Sequence, residues 1–482
     1  MECTACRRSG NSRGLRGVAP MFSVVLVFLV SAVQMAPAGI IKTGVTVPEL
    51  TDFDDITEAF MEEYDIPCGV LGVAKDGCIV YQRGFGYNPS PLRPMSEITP
   101  MRIASVEKPL VAAIVRNLAA GGWFSLDDNV FDLGQEDGGL LSIQPWNGLG
   151  DEDLKLVKVE HLLAHTGGWD IEEMEWCGED RCDPQFESLF IAGQMGINNF
   201  PLGRVNTARY MLSQDLPHPP GDTYAYSNFG YMLLGLIIED VTGLPVSTNL
   251  RNRILTPDMW IPGSEMFTGR TFHASQSPRE PLYISDSYGT NVFNPGGDTV
   301  PRPYGTWDHE SFQGHGNLVS GAAPLLKFLD QYVVIGNDIG KPIGGGSYTG
   351  GHTGAVTGTS TAAYQRADGI SIVALFNRRE DDGAGEPAYG WELASRLNDH
   401  IDGGGIDTWP SECIDGYWVH FAALNPGFGG FSDPLISMDQ VVNTVWDGTK
   451  LHFQPGSSGA WSGELSNSMV LDAPYGDVTI GE

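Results

Sequence analysis

The chain has 482 residues, 41% of them hydrophobic and 18% charged, which is ample for a large core and too long for one minimal domain. Its formal net charge of −32 argues against nucleic acid or anionic lipid as a partner and reads as a solubility device. The 62 glycines and 31 prolines are spread along the chain, so composition predicts a loop-rich globular protein and excludes a disordered one.

Residues 1–38 have the layout of an export signal. Arg7, Arg8, Arg13 and Arg16 precede an apolar run, Met21 to Val33, and Ala36-Pro37-Ala38 offers a cleavage site before Gly39. That run is short for a bilayer span, so cleavage is favoured over anchoring. The expectation is a secreted or periplasmic protein with no stable membrane span. Cys3 and Cys6 leave with the signal, and Cys68, Cys78, Cys177, Cys182 and Cys413 remain. Cys177 and Cys182 flank a short polar turn and are placed to form a local disulfide. Cys68 and Cys78 are less suited to pairing. A turn at Asp76-Gly77 puts Cys78 opposite Lys75 and Cys68 on the other face. The odd count leaves at least one free thiol or an intermolecular bond.

In chain order, Asp52 to Tyr64 carries an apolar stripe (Phe53, Ile56, Phe60, Tyr64) and predicts a helix that Pro67 ends. Two strand-like runs follow, Gly69–Ala74 and Cys78–Phe85, joined by the Lys75-Asp76-Gly77 turn. A helix begins near Ser105 and runs to about Ala120, where Gly121-Gly122 stops it. The middle, about 121–335, is irregular, with helical pieces at Val159–Ala164, Val205–Ser213 and Gly230–Val241; the stretch 261–315 is the least patterned. Leu325–Val334 reads as helix. Strand signals return at Gly351–Val356, Thr359–Arg366 and Ile370–Asn377, with Asp368-Gly369 as a second hairpin turn. Trp391–His400 reads as a closing helix. The pattern predicts an α+β fold: one antiparallel sheet faced by the first and last helices, plus a separate, mostly helical lobe. The organisation expected is a signal at 1–38, one main domain at 45–404, and a C-terminal extension at 405–482 whose short β-like runs fit either a small accessory β-module or an edge extension.

Three elements carry chemistry. A serine hydroxyl is a poor nucleophile until a neighbour takes its proton. In Ser105-Val106-Glu107-Lys108 the two side chains share one helix face, so the amine can reach the hydroxyl. Pro109 fits only near a helix start, which places Ser105 at the first turn, where the helix dipole favours negative charge. Lys108 must be neutral to act as a base, and that needs desolvation or a nearby cation. Tyr226-Ser227-Asn228 is the second element. A phenol near an ammonium is expected to have a lowered pKa and to relay a proton, the plainer alternative being a buried core phenol, while Asn228 can bond a substrate amide, cap the helix at Gly230, or do both. The third is His352-Thr353-Gly354, followed by Ala355. Extended backbone there would supply one N–H of an oxyanion hole and Ser105 the other, with Gly354 allowing close approach of substrate. Lys42-Thr43-Gly44 and His165-Thr166-Gly167 share the third pattern, but only the triplet at 352 precedes two further strand runs. His161 and His165 have a helical metal-ligand spacing without an acidic third ligand in matching context. They are read as structural, and no metal or cofactor is implied. His309 and His315 lie in a loop that could border the cleft, with a surface position favoured for each.

Those elements, in this order, resemble the serine β-lactamase and penicillin-binding protein superfamily. The resemblance is closest to its class C-like branch of D-Ala-D-Ala carboxypeptidases, D-aminopeptidases and family VIII esterases. It spans about 50–400 and includes Leu162-Leu163-Ala164-His165-Thr166-Gly167-Gly168, Pro220-Gly221, Gly230-Tyr231-Met232-Leu233-Leu234-Gly235 and Gly316-Asn317-Leu318-Val319-Ser320. It implies a β-lactamase/transpeptidase-like fold and a serine hydrolase that cleaves an ester or amide, a D-amino-acid peptide or β-lactam included. Ser105 would be the nucleophile, Lys108 and Tyr226 its proton acceptors, and the N–H groups of Ser105 and Ala355 the oxyanion hole. Asn228, His352, Thr353 and Gly354 would contact substrate. His352 stands where many relatives carry Lys, which weakens the fixed charge for a substrate carboxylate. Acyl transfer on the same fold, or silent peptide binding, are the alternatives. The expected partner is a small molecule or peptide. Oligomeric state is left open, and specificity is expected from loops at about 170–200 and 261–315.

Overall fold

The computed structural model describes residues 39–482 apart from 179–180, 260, 262–264, 380–387, 415, 420–429, 431–433, 446–449, 455, 458–469, 474–477 and 481–482. The expected signal, 1–38, lies outside the described residues, as does part of the expected C-terminal extension.

The main sheet is built from β1 (Lys42–Thr43), β2 (Cys68–Lys75), β3 (Cys78–Pro89), β4 (Gly350–Val356), β5 (Thr359–Gln365) and β6 (Ile370–Phe376). Their order is β1-β3-β2-β6-β5-β4, all neighbours antiparallel, with the short strand Leu92–Pro94 paired to β3 off this path. The N-terminal hairpin and the late strands thus form one sheet, joined where β6 pairs with β2 (Val373 opposite Gly72). Strand alternation sorts the side chains of β6 into two layers. Ile370, Ile372, Ala374 and Phe376 face one core, Val373 and Leu375 the other.

The first core is closed by α1 (Thr51–Glu63) and α8 (Tyr389–Asp402), matching the first and last helices expected. Phe53 and Phe60 of α1 and Leu393 and Leu397 of α8 are fully buried there. Each such side chain contributes about 1.5–3 kcal/mol relative to exposure. On the other face lies α7 (Ala322–Gln331), packed so closely that a Cβ at Gly72 would stand 2.9 Å from that of Ala322. Beyond it is the helical lobe: α2 (Glu107–Ala120), α3 (Val159–Leu163), α4 (Ser188–Met195), α5 (Arg204–Met211) and α6 (Asn228–Thr242). The α2 helix runs through the centre of this lobe, with Leu110, Val111, Ile114, Val115 and Leu118 all buried.

Two local expectations are corrected, and the expectation that Cys68 and Cys78 do not pair with each other holds. The helix expected at Leu325–Val334 spans Ala322–Gln331 instead. Tyr332 turns extended at φ −127°, and the β-branched run Val333-Val334-Ile335 leaves the helix. Ser188–Met195 is a helix within a stretch read as loop. Cys78 is bonded to Cys413, and the backbone N–H of Ile414 donates to the Ile79 carbonyl, so the chain after α8 is tied back to β3. Cys177 and Cys182 form the local disulfide expected, and Cys68 is a buried free thiol.

The described part of 405–482 has parallel pairings of Lys450–Phe453 with Tyr417–Val419 and with Val470–Asp472. It also has a cluster of its own, with Leu435, Met438, Val441, Val445, Leu451 and Phe453 buried. Among the described residues no single helix is long and apolar enough to cross a membrane.

Candidate active site

The chain reaches Ser105 through a short strand, Met101–Arg102, paired with Leu318–Ser320, and a 3-10 turn, Ala104–Val106, that leads into α2. Ala104 holds φ at +44°, a left-handed conformation that costs a non-glycine residue about 1–3 kcal/mol. The flanking residues hold the turn. The buried Arg102 guanidinium donates to the carbonyls of Pro303 (2.9 Å) and Arg270 (2.7 Å) and lies 4.4 Å from the Tyr283 ring centre. The N–H of Ile103 donates to Leu318 O at 2.9 Å, and Ile103 O accepts from the Thr361 hydroxyl at 3.0 Å.

One turn on, Lys108 is fully buried. Its Nζ lies 2.9 Å from Ser105 Oγ, 2.8 Å from Asn228 Oδ1 and 3.0 Å from the His315 carbonyl oxygen. Burial lowers its pKa to about 7, against the opposing pull of Asp183 and Glu107. Near neutral pH the amine is therefore free of its proton a large part of the time. In that form it keeps two N–H donors, for Asn228 and His315, and turns its lone pair to the Ser105 hydroxyl.

Tyr226 shares a hydrogen bond with Ser105, and its ring centre is 4.9 Å from Lys108 Nζ. The lowered phenol pKa expected from sequence is not found: burial pushes it up. The phenol keeps its proton, because desolvation outweighs the field of a lysine that is itself only partly charged. Behind it stacks His165, 4.7 Å away between ring centres, whose Nδ1 accepts the N–H of Ser227 at 3.1 Å. The triplet at 165, set aside as a decoy, thus supports the phenol. The other one, at 42, lies on the sheet's edge strand β1.

Asn228 is not the helix cap. It opens α6, and Ser227 caps it by accepting the Gly230 N–H at 3.0 Å. That leaves the Asn228 amide free to bridge Lys108 and Asp183, with Nδ2 2.7 Å from Asp183 Oδ2. Sequence pattern places the acidic segment Glu172–Asp183 and the loop of His315 near a cleft, but it assigns neither Asp183 nor His315 a contact with Lys108 or Asn228. His309 and His315, expected at the surface, are both buried. The segment holding His315 is strapped to α2 by the buried Glu107 carboxylate, which accepts the N–H groups of Gly314 (2.8 Å), Leu318 (3.0 Å) and Asn317.

The fourth wall is β4. His352, Thr353 and Ala355 face a cavity of about 630 Å³ that also contains Ser105, Tyr226 and Asn228. Gly354 does not: it is buried, and a Cβ there would stand 2.0 Å from Ile103 O and 2.4 Å from Thr361 Oγ1. It makes room for the serine turn and not, as expected, for substrate. His352 has its pKa lowered to about 4 by burial and by Lys108, so the ring is neutral across physiological pH. The remaining wall is largely apolar (Leu163, Val334, Ile335, Ile339), with Tyr224 exposed at the edge. Those residues come from 163–165, 224–228 and 334–339, not from the two loops expected to line it. Among the described residues lining the cavity there is no arginine or lysine. Among the described residues, one group with metal-ligand chemistry, Asp170, Glu173 and His218, lies outside this lining.

Comparison with known proteins adds to this geometry. The family model described as Beta-lactamase matches residues 53–395. Esterase EstB of Burkholderia gladioli is 30% identical over 205 residues, 42% of this chain and 48% of that protein. Protein flp of Staphylococcus aureus (strain N315) is 24% identical over 222 residues, 45% of this chain and 38% of that one. The matched region thus spans about half or less of the length of these relatives. The D-amino acid amidase of Ochrobactrum anthropi SV3, solved with D-phenylalanine, has the same fold. Its TM-score is 0.51 at 17% identity, over 73% of this chain and 99% of that one.

Proposed function

The chain belongs to the beta-lactamase family, and on that footing we propose that it is an exported serine hydrolase cleaving an uncharged ester or amide through an acyl-enzyme on Ser105. One observation carries the reading: a fully buried lysine amine, with its pKa near 7, 2.9 Å from a serine hydroxyl at the head of a helix.

Neutral Lys108 takes the Ser105 proton as Oγ attacks the substrate carbonyl carbon. The developing oxyanion is received by the backbone N–H groups of Ser105 and Ala355, beside the positive end of α2. Tyr226, protonated at rest, donates its hydroxyl proton to the leaving oxygen or nitrogen, and the proton that Lys108 took from Ser105 then restores the phenol. Water then attacks the acyl-enzyme by the same route in reverse. Of the two groups beside the serine, Lys108 is the base, because its pKa is lowered and that of Tyr226 is raised.

The substrate class follows from charge. A carboxylate-bearing substrate needs a fixed cation beside the acyl group, and His352 is neutral at working pH. The cavity lining has no arginine or lysine among the described residues, and the chain as a whole is strongly acidic. An uncharged acyl group against Leu163, Val334, Ile335 and Ile339 suits such a wall. EstB, similar over part of the chain, is named an esterase. The test is a panel of short-chain p-nitrophenyl esters, D-amino-acid amides and a chromogenic cephalosporin. The esters are expected to give the highest kcat/KM; a cephalosporin turned over faster than every ester would refute the substrate class.

A further inference from the structure

Asn228 sits between two groups of opposite demand. Lys108 approaches it with N–H donors in either protonation state, and the Asp183 carboxylate only accepts. With Nδ2 2.7 Å from Asp183 Oδ2, the amide has one satisfied orientation, and it presents Oδ1 to Lys108 at 2.8 Å. Turned over, it would set N–H against N–H on one side and oxygen against oxygen on the other. Asp183 is itself held on several sides. Its second oxygen accepts the Gln185 N–H at 3.1 Å, and Gln185 Nε2 rests 3.5 Å from Met232 Sδ on α6, the helix that Asn228 opens. The residue before it, Cys182, is fully buried, donates its N–H to Ile171 O at 3.1 Å and is bonded to Cys177.

We propose that Asp183 is a positioning residue for the Ser105–Lys108 pair. Its carboxylate fixes the Asn228 amide so that Oδ1 meets the lysine, and the Cys177–Cys182 disulfide keeps Asp183 at that contact. The proposal rests on the reading of Lys108 as the base. It also makes the base depend on a bond that exists only under oxidising conditions, which suits a protein that acts after export.

The titratable and charged groups facing Lys108 are Glu107 on its own helix, Asp183, Tyr226 and Tyr231 beside or on α6, His165 after α3, His315 before the strand at 318, and His352 on β4. The three histidines are held in the neutral form by burial and by Lys108. The anionic field on the lysine therefore comes from Asp183 and, only in part near neutral pH, from Glu107, whose pKa burial raises to about 7; removing Asp183 makes the ammonium harder to form.

Two readouts test this. Lysine ¹³Cε NMR follows Lys108 itself, assigned with Lys108→Arg, and needs no activity. The rate of fluorophosphonate labelling against pH follows the catalytic reading. Asp183→Asn keeps the shape and loses the charge. It is expected to lower the Lys108 midpoint by about one pH unit, with the acidic limb of labelling moving with it. Asp183→Ala is expected to give the same shift and also a roughly tenfold lower plateau, since the amide is no longer oriented. The double variant Cys177→Ser/Cys182→Ser is expected to lower the midpoint in wild type and to add nothing in the Asp183→Asn background. An unmoved Lys108 midpoint in Asp183→Asn overturns the role of Asp183. A disulfide effect that persists undiminished in that background overturns the role of the bond. A wild type that no probe labels would refute the catalytic reading, while the NMR midpoint still decides the positioning.

Discussion

Gly354 and Ile103 touch. A Cβ at 354 would stand 2.0 Å from the Ile103 carbonyl oxygen, which already accepts the Thr361 hydroxyl at 3.0 Å and the Val106 N–H at 3.1 Å. The strand carrying Ala355 is thus laid against the turn carrying Ser105 with room only for a hydrogen. Gly354→Ala is expected to fold at a cost of about 1–3 kcal/mol, because backbone must move on one side. Probe labelling is expected to slow at least tenfold. An unchanged labelling rate would detach this strand from the serine's chemistry.

Acylation should depend on pH through Lys108. Its pKa is lowered to about 7, and only the neutral amine accepts the serine proton. The second-order labelling rate is therefore expected to rise with pH, with a midpoint near 7, and to level off above it. Tyr226, its pKa raised, adds no fall within that range. A rate that falls as pH rises through 7 would contradict the assignment of the base.

Glu107 acts through the backbone it binds. One of its oxygens accepts two N–H groups, from Asn317 and Leu318, and the other accepts that of Gly314. Glu107→Gln sets an NH₂ group against at least one of these donors, and each buried donor left unpaired costs about 1–3 kcal/mol. Thermal melts are expected to show a loss on the order of 2–4 kcal/mol. Labelling should weaken as well, because His315 O, the third partner of Lys108, sits on that segment. A variant as stable as the wild type would show that the strap is not needed.

What could be read from sequence is what depends on near neighbours. Ser105 and Lys108 are one helical turn apart, so their contact follows from spacing alone. The hairpin turns at 76–77 and 368–369 set strand registers the same way, and the two-layer sheet followed from them. The rest depends on contacts that spacing does not encode. Asp183 reaches Asn228 across 45 residues, and His315 reaches Lys108 across 207. The phenol of Tyr226 was misjudged because its pKa is set by burial, which a tripeptide does not reveal. Gly354 was assigned to substrate because a glycine on an extended run signals close approach without naming what approaches. The helix at 188–195 was missed because its apolar residues are not arranged as a one-sided stripe.

The charge at position 352 separates neutral substrates from anionic ones. His352 is neutral near pH 7, whereas a lysine facing the cavity would supply a fixed cation. His352→Lys is expected to raise kcat/KM for a cephalosporin relative to a p-nitrophenyl ester by roughly tenfold, or about 1.4 kcal/mol. No change in that ratio would mean that position 352 does not meet the substrate's charged end.

A covalent adduct identifies the nucleophile itself. The wild type is incubated with a fluorophosphonate, digested, and its peptides are read by mass spectrometry. One adduct is expected, on the hydroxyl of Ser105, and none in Ser105→Ala in a protein that melts like the wild type. An adduct on another residue, or labelling that survives in Ser105→Ala, would contradict Ser105 as the nucleophile.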